Sequence, residues 1–151
     1  MMELFIQFIL ALLATCGFCI IFRVPVKDLP ICIIIGALGW VAYEISVYYR
    51  VSPVLACFTA SCMVGILSDI ASRIFKEAST IFIIPGILCL VPGSNIYRTM
   101  EAMLSHDMGN TASIGAQTLL MAGAIAAGLL VTGSVIKVIR AVIKKTVSKV
   151  H

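Results

Sequence analysis

Charge is scarce in this sequence. Only 12% of its 151 residues are Asp, Glu, Lys or Arg, about half the ~25% usual in soluble domains. A soluble globule of this size exposes too much surface to cover with so few charged groups. That excludes a soluble enzyme, a disordered chain and a nucleic-acid-binding domain. Catalytic motifs are missing as well. There is no Gly-x-Ser-x-Gly, no His-Glu-x-x-His, no pair of in-membrane aspartates and no phosphate loop. His106-Asp107 is a lone pair without the further ligands that a metal-dependent hydrolase needs. The expectation is therefore no enzyme, no cofactor and no metal.

What the chain has in excess is apolar residues, 61% of the total, with a mean hydropathy of +1.11. Lipid solvates such a surface where water does not. The six cysteines, Cys16, Cys19, Cys32, Cys57, Cys62 and Cys89, all lie inside apolar runs, where a free thiol packs as a small hydrophobe. Cys16-x-x-Cys19 has redox or metal spacing, but no His or carboxylate stands beside it, so packing is the stronger reading.

A bilayer core of roughly 30 Å takes about 20 apolar helical residues. Five stretches qualify: 4–22, 29–49, 51–68, 78–97 and 112–136. Residues 1–151 thus read as one all-α, multi-pass membrane domain with five spans. The first run lacks a basic leader and a small-residue cleavage pattern, so it is expected to stay as a helix rather than act as a signal peptide.

Basic residues orient the spans. With the N-terminus outside and the C-terminus inside, nine of the eleven Lys and Arg fall inside; Arg50 and Arg98 are the exceptions. The implied location is the cell's inner or plasma membrane. Trp40, Tyr43, Tyr48 and Tyr49 then form an interfacial belt at the outer end of the second span. The basic tail 137–151 places Lys137, Arg140 and Lys144 on one helix face. Anionic lipid headgroups fit that face, and docking of a partner's cytoplasmic domain is the other reading. Asp69 and Arg73, at i and i+4, read as a structural ion pair. Ala124, Gly128 and Thr132 form a small-residue stripe, and Ser61 with Gly65 forms a second; both predict close helix packing.

One segment stands apart. Ile84-Pro85-Gly86 and Val91-Pro92-Gly93-Ser94-Asn95 put two Pro-Gly pairs seven residues apart inside the fourth span. Proline removes a backbone donor and clashes with the preceding turn. Lipid cannot satisfy the freed groups, so such a break lines protein or a water-filled cavity. Gly93-Ser94-Asn95 offers N-cap residues for a new helix, whose N-terminus with Arg98 one turn in would attract a carboxylate. The segment reads either as this site or as a proline kink followed by a loop with an Arg98–Glu101 pair. Glu44 is the one carboxylate within a span, a candidate for ion coupling or an interfacial side chain reaching water. Glu44, Arg98 and Gln117 fall at similar depth.

The stretch Val91-Pro92-Gly93-Ser94 with Tyr97-Arg98, following Ile84-Pro85-Gly86, resembles the signature region of the threonine/serine exporter family. The resemblance covers residues 5 to 140 and is to the small, split membrane subunit, the C-terminal five-helix half of a longer form. It implies export of small carboxylate-bearing metabolites, threonine or serine, or succinate as in some two-subunit members. It also implies a second membrane subunit carrying the complementary five helices and a soluble domain. Pro92, Gly93, Ser94, Tyr97 and Arg98 are the residues it carries over as substrate-binding; Asn95 and Glu44 rest on the physical reading alone. An odd number of spans suits one half of an inverted repeat, whether paired with another subunit or with itself in a homo-oligomer. The alternative is a membrane scaffold or assembly subunit without its own substrate site.

Overall fold

A computed structural model describes residues 2–147, with side chains over 5–142. Within these it is all-helical: α1 (Met2–Ile21), α2 (Leu29–Tyr48), α3 (Pro53–Phe75), α4 (Ser79–Leu88), α5 (Gly93–Leu104) and α6 (Met108–Val147). Three helices, α2, α3 and α6, are long and apolar enough to cross a membrane. The pair α4 and α5 qualifies jointly but bends by 50° at its break. The apolar part of α1 that is described, Phe5–Ile21, is shorter.

The helices stop for local reasons. Pro30 and Pro53 sit in the first turns of α2 and α3, where a missing N–H costs nothing. Ser52 caps α3 by accepting from the Leu55 amide at 3.4 Å. Four helix ends turn through a left-handed residue, at Arg23, Arg50, Lys76 and His106. At three of them the amide one residue further on reaches back to close the last turn: Val24 to the Cys19 carbonyl, Val51 to Ser46 and Asp107 to Ala102. Glycine usually fills that position. Here Arg23, Arg50 and Lys76 take it at three of the four ends, which sets a cation against the negative helix end.

Two spans end elsewhere than their charges predict. α3 continues past Ser68 and Asp69 to Phe75, and the last helix begins at Met108 rather than 112 and continues to Val147, a length of 40 residues. Asp69, Arg73 and Arg140 are tolerated inside helices because they pair with each other. The Arg73 Nε lies 2.8 Å from one Asp69 oxygen, and Arg140 on α6 donates to the other. The predicted Asp69–Arg73 pair is thus present, joined by a third residue. Of the basic tail, residues 148–151, with Lys149, lie outside the described residues, as do the side chains of 143–147, with that of Lys144.

Packing follows the small residues. α2 contacts α1, α3 and α4, while α3 contacts α6. The two predicted stripes meet on the α3–α6 seam. A Cβ on Gly128 would stand 2.9 Å from the Phe58 carbonyl and closer still to Ser61, and one on Gly65 would stand 3.0 Å from Thr132 Cγ2. Cys32, Ile35, Cys57, Ala60, Val64 and Phe82 form the core of the bundle. All six cysteines are free thiols, as their apolar setting predicts. The outer faces of α1 and α6 keep Leu10, Leu13, Ile20, Leu119, Leu130 and Val138 exposed, a surface suited to lipid.

Candidate functional site

The α4–α5 break sits beside the end of α2. After Leu88, the Leu90 amide closes a turn onto Ile87 at 2.7 Å, and Pro92 becomes the N-cap of α5 without any side-chain cap. This corrects the expected Gly93-Ser94-Asn95 cap. Proline's fixed φ starts the helix one residue earlier, and Gly93 is already its first residue. The Gly93 amide bonds the Val91 carbonyl at 2.7 Å, and those of Asn95 and Ile96 bond the Pro92 carbonyl at 3.1 Å.

A cavity of about 560 Å³ opens at this break. Its floor is the chain from Cys89 to Asn95; Trp40 and Tyr43 of α2, Pro53 of α3, Arg98 of α5, and Gln117 and Met121 of α6 complete the wall. The structure therefore gathers Pro92, Gly93, Ser94, Asn95, Arg98 and Gln117 around one space. Arg98 carries its only formal charge, and no carboxylate lines it. Among the described residues no acidic side chain forms an ion pair with Arg98.

Two expected site residues stand apart. Tyr97 is 69% exposed and does not line the cavity. One residue before Arg98 in a helix, it points about 100° away. Glu44 faces α1: with the Gln7 amide oriented to donate, its nitrogen stands 3.1 and 3.2 Å from the two carboxylate oxygens. Gln7 borders a smaller cavity of about 200 Å³ between α1 and α2. Trp40 and Cys89 border both spaces, so they stand between the cavity that Gln7 borders and the larger one, and Glu44 lines neither. Thr15 fixes this partition from α1, with its hydroxyl 3.0 Å from Cys89 Sγ.

Sequence reasoning assigned Trp40 and Tyr43 to an interfacial belt and left Gln7 and Cys89 out of the site. Trp40 and Tyr43 are one helical turn apart with ring centroids 5.5 Å from each other, so one helix face carries both. That spacing was the available signal. His106 and Asp107 have a structural explanation. Asp107 precedes α6 and accepts from the Asn110 backbone amide at 3.1 Å and its side-chain amide at 2.7 Å. These bonds hold its carboxyl below the usual range.

The residues that carry the break, the cavity and the arginine all fall within a match to a family described as Threonine/Serine exporter, ThrE, over residues 7–135. The chain belongs to the threonine/serine exporter family. The chain is also similar to an uncharacterized protein of Haemophilus influenzae, 29% identical over 141 residues, which are 88% of this chain and 48% of that one. It thus spans about half the length of the curated relative it matches. No solved structure matches it. Family membership and several long apolar helices make it a multi-pass membrane protein of a transporter family.

Proposed function

We propose that this chain is a subunit of a secondary exporter of small carboxylate-bearing metabolites, and that the cavity at the α4–α5 break is its substrate site. In this reading α1, α2, α3, the α4–α5 pair and α6 are five spans. The N-terminus lies outside and the C-terminus inside the inner or plasma membrane. A second membrane subunit supplies the complementary half.

One observation carries the proposal. A helix interrupted by proline within a membrane protein opens a cavity whose single charge is the Arg98 guanidinium, accompanied by the Asn95 and Gln117 amides and the Ser94 hydroxyl. A guanidinium binds a carboxylate through two parallel hydrogen bonds. The helix N-terminus adds its positive dipole end. Broken helices used in this way recur in secondary transporters. Threonine and serine would bring an ammonium group with no carboxylate in the lining to meet it; its remaining partners are the faces of Trp40 and Tyr43. An anionic acid such as succinate matches the charge of the lining more fully. Glu44 is the proposed ion-coupling group, acting from its place against Gln7 rather than by touching substrate.

The test is efflux of radiolabelled threonine, serine and succinate from loaded cells that express this chain with and without its complementary membrane subunit. Arg98→Ala is expected to reduce efflux at least tenfold while the protein stays in the membrane; removing a charged hydrogen-bonding partner costs about 1.5–3 kcal/mol. Efflux unaffected by Arg98→Ala overturns the site. Lack of efflux for all three substrates, with both subunits in the membrane, favours a scaffold role.

A further inference from the structure

The parallel seam between α3 and α6 sets their relative height. Ser61 lies against Gly128, and Thr132 against Gly65, a constant offset that puts Pro53 level with residue 120. α6 begins at Met108, so its first twelve residues extend about 18 Å, at 1.5 Å per residue, beyond the start of α3. α2 ends at the same level as α3 begins, with Tyr48, Tyr49 and Arg50 at the boundary. α3 alone, with 23 residues, covers the ~30 Å of a bilayer core. Only α5 accompanies the projecting part of α6: a Cβ on Gly115 would touch Thr99 at 3.3 Å. The α5–α6 hairpin therefore stands out past the bundle.

That hairpin has an apolar face that none of the described residues covers. Asn95, Thr99 and Ala102, at i, i+4 and i+7, are the half-buried positions of α5, and Asn95 and Thr99 meet α6. The neighbouring row Ile96, Met100 and Met103, with Leu104 beside it, is exposed; Met100 is 64% and Leu104 82% accessible. No residue of α5 is buried. Met100, Met103 and Leu104 fall beyond the boundary at Arg50.

We infer that the α5 row Ile96-Met100-Met103-Leu104 is a docking surface for the complementary membrane half, the counterpart of the part of the Haemophilus influenzae relative that lies outside its match to this chain. Three observations select this occupant. The relative carries about as much chain again within one polypeptide, so in that protein the remainder is tethered to the region that matches this chain. The opposite side of α5 presents Arg98 to the cavity, so a subunit seated on the row is separated from the cavity by α5 alone. On α6, the exposed face next to the hairpin is built from Ala122, Gly123, Ala126 and Ala127, and no atom lies within 4 Å of a Cβ on Gly123; small residues admit another helix closely. The inference rests on the two-subunit reading above.

A photo-crosslinking amino acid at Met100 or Met103, in native membranes of cells producing the full chain, tests it. The expected product is a heterodimer whose second member aligns with the unmatched half of the relative. The same probe at Leu13 of α1 should give lipid adducts. Met100→Glu with Met103→Glu should abolish co-purification of that subunit, while Arg98→Ala leaves it intact. Adducts to lipid alone, or to a second copy of this chain, overturn the inference. Heterodimer formation without efflux of any carboxylate would remove the transport reading and leave the docking surface. Efflux without a crosslink at α5 would do the reverse.

Discussion

Arg98 and Glu44 show what a single position on a helix decides. Both are ionisable residues in or beside apolar spans, yet Arg98 faces the large cavity and Glu44 faces Gln7 of α1. Sequence placed them at similar depth; which face each occupies depends on how the helices are rotated against their neighbours, which depth does not encode. Glu44→Gln is expected to abolish pH-gradient-driven export while leaving efflux down a substrate gradient and membrane assembly intact; proton dependence equal to the parent's would remove Glu44 from coupling. Asp107 yields a prediction on acidity. Its folded carboxyl titrates below the ordinary aspartate range because Asn110 donates to it. Its contribution to the start of α6 is therefore complete above the ordinary aspartate pKa of about 3.9, and it fades as pH falls through the lower folded value. Protection of amides 104–111 against hydrogen exchange, taken relative to the intrinsic rate at each pH, should be high at pH 5 and fall on acidification through the Asp107 titration. Asp107→Ala should lower that protection at pH 5 and leave it independent of pH.

The elements were legible to different degrees. α2 and α3 announced themselves through apolar runs with proline near the start; Arg50 marks the end of α2 within two residues, whereas Asp69 put the end of α3 seven residues before Phe75. The fourth span was read as one segment over 78–97, interrupted where a new helix starts at Gly93-Ser94-Asn95. That helix is present and runs on to Leu104, beyond the apolar run, because Thr99, Ala102 and their neighbours have α6 to lie against. Hydropathy cannot detect a helix stabilised by one long neighbour. Seams were more readable: the two small-residue stripes do face each other. Gly128→Leu is accordingly expected to destabilise the detergent-solubilised protein by about 1–3 kcal/mol, the usual cost of overpacking. Gly123→Leu should leave its melting temperature unchanged, since its Cβ meets open space. Equal effects of the two substitutions would contradict the seam.

At the scale of the whole molecule the two ends differ in kind. One end is tied by charge: Lys27 pairs with Glu77 across the α1–α2 and α3–α4 turns, and Asp69 holds both Arg73 and Arg140. The Glu77 carboxylate holds the Lys27 ammonium above its ordinary range. The other end carries the cavity and the projecting hairpin and has no ion pair among the described residues. Partly exposed pairs are worth about 0–1 kcal/mol each. Asp69→Asn should therefore lower thermal stability only slightly, and molar salt should erase the difference; a loss of several kcal/mol would show the cluster to be far better shielded than it is here. The sequence held the materials of both ends but not their arrangement, since a cavity is made by four helices meeting and no single run of residues contains it.

The α3–α6 seam has a mechanical consequence. Two helices interlocked through Gly65 and Gly128 slide past each other only by breaking both contacts, so they move as one lever. A displacement at Met108 is delivered to Arg140, about 48 Å along the same helix at 1.5 Å per residue, and through Asp69 to α3. The residues between Leu88 and Gly93 belong to no helix. If the hairpin swings relative to α4, the pivot is Val91-Pro92, directly beneath the cavity that any passing substrate would occupy.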